Sequence, residues 1–300
     1  MGVTDRPRAR QYLERIGYYR LSGYWYPLRQ SRQGRDQHGG AITQVLDQFR
    51  PGATFSQAVE LYVFDKRLRL LFLDAIERIE VALRVHIALL LSARDPWAHR
   101  DPRQLNGNFA RKINRRTGRP DYDAWLTRLD ENERRSKEDF VKHFRARYSS
   151  PLPLWMTIEL WDFGILSTFL AGMRVADQDA IASRYGLRRE LLISWARSIN
   201  YVRNVCAHHS RLWNISPVDY PSPPRIGELA ILDHLAKDRH AQNRIYAVAA
   251  AIQFLLRTVN PTTSWGQRLK DHLASFPSTP GVSISQSGFP SGWERLALWN

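Results

Sequence analysis

Apolar residues recur along most of this 300-residue chain at intervals of three and four, the period of a helix with one buried side. The strongest run is Leu61, Phe64, Leu68, Leu71, Phe72, Ala75, Ile79, Leu83, His86, Ile87 and Leu90. Thr54, with Gln57 three residues on, precedes it as a capping box. One long central helix over about 54–92 is predicted, with Glu80 and Arg84 as an i,i+4 ion pair. His86, among apolar positions, reads as a core histidine with a partner rather than a ligand. Upstream, Asp5 caps a short helix carrying Ala9, Leu13 and Ile16, and Gly17 ends it. Residues 31–40 read as a loop. Downstream, helical spacing covers 122–129, 136–148, a mostly buried stretch over 154–173, 178–185, 189–212, 239–259 and 264–273. No segment asks to be a strand in any number, so the fold class predicted is all-α.

The helix predicted over about 189–212 sorts into two faces at about 100° per residue. Trp195, Ile199, Val202, Cys206 and Trp213 fall on one line, suited to a core. Arg197, Tyr201, Asn204, His208 and Arg211 fall on a second line, roughly opposite, with Arg203 on the flank. Arg203 and His208 stand about 140° apart on an ideal helix, so the long Arg side chain has to reach around. His209 lies near the apolar line and reads as an interface or supporting residue. Glu159, an acid in an apolar stretch, is a candidate to orient a His or Arg of this helix, since a buried carboxylate needs a partner.

Composition adds charge to this picture. The 44 Lys+Arg exceed the 29 Asp+Glu, giving +15. That balance favours an anionic partner such as nucleic acid, although only six of the cations are Lys and an Arg excess also follows from a GC-rich genome. Cys206 is the single cysteine, which excludes an internal disulfide framework and a Cys-based zinc site. No apolar run approaches the roughly 18–20 residues that span a bilayer, and the Arg-rich N-terminus lacks an apolar secretory core. A cytoplasmic protein without membrane partners is expected. Tyr12 to Pro27 mixes aromatics with Arg20, a composition that either docks on a core or stacks bases and holds phosphates.

An Arg, an amide and an imidazole together suit phosphodiester chemistry. A His titrates near neutral pH and moves protons; an Arg stays charged and grips phosphate oxygens at two points. RNA carries its own nucleophile, the 2′-OH, so a His/Arg site can cleave it without a metal or another cofactor. One helix offers one clear catalytic His. Two copies facing each other supply both a base and an acid, which is a geometric reason to expect a homodimer. The same residues also suit a buried polar network that only fixes helix contacts.

The chain resembles the Abi-like family, the AbiD/AbiF type of abortive-infection protein, within the HEPN superfamily. The matching residues are Gly17-Tyr18-Tyr19-Arg20-Leu21-Ser22-Gly23-Tyr24-Trp25, Leu61-Tyr62-x-Phe64-Asp65-x-x-Leu68-Arg69 and Ile76-Glu77-Arg78-Ile79-Glu80-x-x-Leu83-Arg84. They continue with Leu152-Pro153-Leu154-Trp155 and Phe163-Gly164-x-Leu166-Ser167. Arg203-Asn204-x-Cys206-Ala207-His208-His209-Ser210-Arg211-Leu212-Trp213-Asn214 is the strongest match.

The resemblance implies a HEPN-like helical bundle with additional helices, dimeric, whose Arg-x4–6-His motif forms a metal-independent endoribonuclease site at the dimer joint. It assigns Arg203 and His208 to catalysis, with Asn204 as the polar residue after the Arg. Arg197, Tyr201 and Arg211 on the same face are expected to bind RNA, and His209 and Glu159 to support the site. It further implies a phage-defence or toxin–antitoxin role, held in check by a small RNA or protein antitoxin. A non-catalytic protein holding a structured small RNA is the alternative, and a protein–protein module a third reading. Family members usually carry a further helical segment before the position of Asp5, so a short form or a mis-set start is expected here. The organisation expected is an aromatic/basic segment over 1–52, a helical domain over 53–275 and a docking tail over 276–300, integrated into one domain.

Overall fold

The longest run of apolar positions becomes the longest element. In the computed structural model, which describes residues 1–35, 37 and 39–300, helix α3 spans Phe55–Ser92 and is 38 residues long. Its start is the capping box: Thr54 Oγ1 accepts from Gln57 N at 3.3 Å, and the Gln57 side chain accepts from Thr54 N at 2.9 Å. Its buried seam runs Ala58, Leu61, Asp65, Leu68, Phe72, Ala75, Ile79, a spacing of alternating three and four. One of these seam positions, Asp65, is charged, and so is the neighbouring buried Arg69.

Two helices precede it. α1 is Arg6–Ile16, capped by Asp5 and closed by Gly17 at φ 94°, and α2 is Tyr18–Trp25. Strands β1, Arg29–Arg35, and β2, Ala41–Phe49, then form an antiparallel hairpin. This corrects the expectation of a loop over 31–40; Asp36 and His38 lie outside the described residues. Neither face of the hairpin is deeply buried, so its sequence carries no apolar alternation. Polar cross-strand pairs hold it instead, such as Arg32 with Gln44 at 2.9 Å and Arg29 with Asp47 at 2.9 Å.

After α3 come α4, Gly107–Ala110, α5, Asp121–Arg135, and α6, Asp139–Arg147. The stretch expected as one helix over 154–173 is broken. α7 is Leu154–Thr157, a short 3₁₀ turn follows, Trp161 is extended, and α8 is Phe163–Gly172. Asp162 makes the break, its side chain capping α8 by accepting from Ile165 N at 2.9 Å. α9 is Val175–Ser183, and α10, the motif helix, is Arg189–Ala207. The run expected over 239–259 also divides, around Asn243–Arg244. Following α11, Asp233–Lys237, it gives α12, Arg239–Gln242, and α13, Ile245–Val259. α14 is Trp265–Ala274.

The described residues are predominantly helical, as the fold class required. α2, α8, α10, α13 and α14 all pack on α3. α13 is buried along its alanine-rich length, which lets it lie close against α3 and α10. The C-terminal residues Phe289, Trp293 and Trp299 are buried around Tyr246, with ring centroids of 5.0 Å for Tyr246–Phe289 and 4.8 Å for Trp293–Trp299. His86 is half-buried and meets the Tyr185 hydroxyl at 3.0 Å, a partnered core histidine. Among the described residues no helix is long and apolar enough to cross a membrane.

His99 is fully buried against Trp161, and neither ring nitrogen has a hydrogen-bond partner among the described residues. Burial pushes its pKa down to about 3, helped by the nearby Arg100 charge. The folded chain therefore holds a neutral ring, while the unfolded chain takes up a proton below about pH 6.5. The stability this provides is complete above that pH and declines by about 1.4 kcal/mol per pH unit as pH falls towards the folded value. Urea unfolding of wild type and His99→Phe between pH 7.5 and 5 measures it: the variant should lose stability less steeply by about that slope, and parallel curves would refute the assignment.

Candidate functional site

α10 keeps the two-faced character that its spacing predicts. Leu192, Trp195, Ile199, Val202 and Cys206 are buried against α3, α8, α9 and α13. The Cys206 thiol is pushed well up by burial and stays protonated. Trp195 Nε1 donates to Ser222 O at 2.9 Å and pins the proline-rich loop over 217–224 to the helix.

The helix does not reach residue 212. It ends at Ala207, with His208 as its cap at φ −86°, ψ 7°, and His209 in the left-handed region at φ 58°. His209 N donates to Cys206 O at 3.1 Å and Ser210 N to Val205 O at 2.9 Å, the paired bonds of a Schellman turn. A histidine thus occupies the position where glycine is usual. What forces the turn lies elsewhere in the chain. The Asp65 carboxylate accepts Leu212 N at 3.1 Å and Trp213 N at 2.7 Å, so these amides are directed at α3 instead of at carbonyls one turn back. Tyr24 Oη donates to Asp65 at 2.6 Å, and Arg69 pairs with it while also donating to Ser210 O at 3.2 Å. Arg20 donates to His209 O at 2.9 Å. Burial pushes the Asp65 pKa up, and the Tyr24 hydroxyl, Arg69 and the two amides all pull against it in favour of the anion.

This clamp redistributes the expected site residues. Arg211 leaves the exposed face: its guanidinium turns inward to Gly23 O, and desolvation lowers its pKa. Trp213 is buried, but past the helix rather than on its apolar line. Arg197 is exposed, yet it lines a groove of about 610 Å³ between α5, α8 and α10, shared with Asn200 and Arg128. Tyr201 and Asn204 are half-buried, and Asn204 Oδ1 accepts from Arg203 Nη1 at 3.4 Å. Half-buried Arg203 faces the acids of α3: the Glu80 pKa is pushed up by burial and drawn back by Arg84 and then Arg203. Glu159 does not orient the motif helix. It is largely exposed and lies 3.6 Å from Arg84, which also pairs with Glu80 and donates to Trp161 O at 2.5 Å.

His208 and His209 are both exposed and open on a different groove, of about 730 Å³, walled by α2 and the start of β1. Arg203 and Asn204 are thus brought together, while His208 stands more than one turn further on, about 7.5 Å along the axis. Among the described residues no group of three or more His, Cys, Asp or Glu is placed to hold a metal.

Helical spacing assigns Tyr24 no part in the site and puts Asp65 and Arg69 on faces of α3 away from its apolar side; the structure corrects this by burying both. Asp65 lies four residues after Leu61 and three before Leu68, on the apolar seam itself, with Arg69 four residues on. Two charges on a buried stripe announce a partner, but not which segment supplies it.

A helical bundle whose helix α10 carries Arg203 and Asn204 towards a clamped end capped by exposed His208 is the class of protein this structure defines. The family model described as Abi-like protein matches residues 11–214, more than two thirds of the chain and all of the clamp and motif. The chain belongs to the Abi-like family, whose name marks an association with abortive infection in phage defence. No curated protein and no solved structure matches it.

Removing the carboxylate should be costly, because it strands a buried guanidinium and two amides. Asp65→Ala is expected to lose roughly 3–5 kcal/mol, read as a shifted urea midpoint. Asp74→Ala, which breaks a part-exposed pair with Arg268 and Arg78, should lose about 1 kcal/mol or less. Equal losses in the two variants would remove Asp65 from its central place.

Proposed function

We propose that the chain is a metal-independent endoribonuclease of HEPN type, acting in phage defence or as a toxin, with its active site completed by a second copy. The observation that carries this reading is that α10, with one side in the core, carries Arg203 and Asn204 together on its half-buried flank and His208 at its exposed end. The Asp65 clamp fixes the turn that follows His208, so the imidazole is held at a rigid helix end rather than on a mobile loop.

The chemistry follows from the residue types. An unprotonated imidazole of His208 takes the proton from an RNA 2′-OH, and the 2′-oxygen forms a bond to the adjacent phosphorus. The bond from phosphorus to the 5′-oxygen breaks, and that oxygen takes a proton from the imidazolium of the second copy. Arg203 balances the charge that builds on the phosphoryl oxygens. The products are a 2′,3′-cyclic phosphate and a 5′-hydroxyl, and no metal or cofactor is required. Arg197, on the groove between α5, α8 and α10, and half-buried Tyr201 are further residues of the helix for RNA; the inward turn of Arg211 leaves it a structural role.

One observation favours a second reading, a non-catalytic protein that holds a structured small RNA. Within one chain Arg203 faces the Glu80–Arg84 cluster while His208 opens on another groove, so the two do not line one common groove. A partner antitoxin, RNA or protein, fits either reading.

Incubation of cellular RNA with the purified protein in EDTA, followed by mapping of ends, separates them. Arg203→Ala and His208→Ala should each cut at least about 100-fold more slowly while unfolding at the wild-type urea midpoint. Wild-type cutting by either variant, or products without cyclic phosphate ends, would exclude the mechanism. Sedimentation should give the mass of two chains.

A further inference from the structure

The groove that receives His208 has a wall that the core does not explain. Tyr19 is 90% exposed, Tyr18 67% and Tyr26 49%. Exposed single aromatics are ordinary on protein surfaces, but here three stand together. Tyr19, Ser22 and Tyr26 follow at intervals of three and four, one face of α2 and its continuation. Tyr18 is held by the edge of Trp25 at 5.2 Å, whereas no ring in the chain stacks on Tyr19 among the described residues.

The cations of the same wall are arranged around those rings. The Arg29 guanidinium lies 5.6 Å from the Tyr26 centroid and donates to Asp47, an acid whose side chain is wholly exposed, so that pair is weak and open to exchange. Arg20 reaches His209 O and ties the tyrosine helix directly to the turn beside His208. None of the described residues lining the groove is acidic.

Flat aromatic faces, guanidinium groups and the absence of acid match one ligand class: a nucleic-acid strand whose bases are free to stack and whose phosphates need neutralising. Tyr19 and Tyr26 are about 10 Å apart at 1.5 Å per residue, which spans about three stacked bases at 3.4 Å each. A duplex hides its base faces and has nothing to offer these rings. We infer that this groove binds an unpaired RNA strand, with bases stacked on Tyr19 and Tyr26, phosphates on Arg20 and Arg29, and the strand led towards His208. The inference rests on the reading of the motif as an RNA-acting site and adds what it selects: single-stranded segments, with little preference among bases.

The test uses the full chain in a His208→Ala background, so that binding is read without cutting. Fluorescein-labelled 12-nucleotide oligouridine and oligoadenosine strands and a 12-base-pair RNA duplex are titrated by anisotropy. The single strands should bind at least about tenfold more tightly than the duplex. Tyr19→Ala and Tyr26→Ala should each weaken single-strand binding about 5- to 150-fold, the range for one lost base stack, and leave duplex binding unchanged. Tyr19→Phe should bind as the parent does, because the ring and not the hydroxyl is used.

Equal or tighter duplex binding overturns the inference, and so does parental affinity in both alanine variants. Conversion of a dimer to monomers by Tyr19→Ala also overturns it, by making the platform a protein interface. Failure here is separable from failure of the enzyme. Stacking-dependent binding without RNA cleavage by the otherwise wild-type chain keeps the groove and removes the nuclease. Cleavage unaffected by the tyrosine variants does the reverse.

Discussion

One buried carboxylate sets the form of the motif region. Asp65, in the first third of the central helix, collects a hydroxyl from α2, a guanidinium from its own helix and two backbone amides from the segment after α10. A charge removed from water is tolerable only when its lone pairs are filled, and here every partner is a donor. The consequence reaches well beyond the pair. The demand of Asp65 for those amides ends the motif helix, places His209 in a left-handed turn and brings α2 alongside the turn. Residues far apart in sequence are joined at a single anion.

The rest of the architecture serves that junction. α3 gives the axis on which α2, α10, α13 and α14 pack, and the apolar side of α10 keeps its orientation fixed against it. Even the C-terminal segment takes part, since Ser287 donates to Trp213 O immediately beyond the clamped amides. The outward edge of α10 is therefore rigid, and its polar residues are divided between two surroundings. Arg203, with Asn204 beside it, stands by the acids of α3, while His208 opens on a wall of tyrosines and arginines. This division is the physical basis for a proposed site shared by two copies, in which one chain's groove leads a strand to an imidazole and charge neutralisation comes from both.

Much of this was legible beforehand because it depends on local periodicity. The 38-residue helix, its Thr54–Gln57 cap, the Asp5 cap and the two faces of α10 as far as His208 all follow from side-chain spacing. The features that escaped share a cause, in that each is decided by a partner distant in the chain. The hairpin over 29–49 has no buried face, so its pairing leaves no hydrophobic record. The break at Trp161–Asp162 was masked by the apolar residues on both sides of it, although Asp162 was a cap in waiting. Glu159 looked like a buried acid seeking a partner and is instead an exposed one beside Arg84.

By itself the sequence determined the helical class, the central helix, the basic balance and the grouping of Arg203, Asn204 and His208 on one helix. These are consequences of residue type and of the 3.6-residue period. Where α10 stops, that Arg211 turns inward, and that Tyr19, Arg20 and Tyr26 stand beside His208 were decided only in three dimensions. Helical spacing has no term for an acceptor about 150 residues away, and the Asp65 carboxylate, buried and needing donors, outcompetes the local carbonyls for the amides of Leu212 and Trp213.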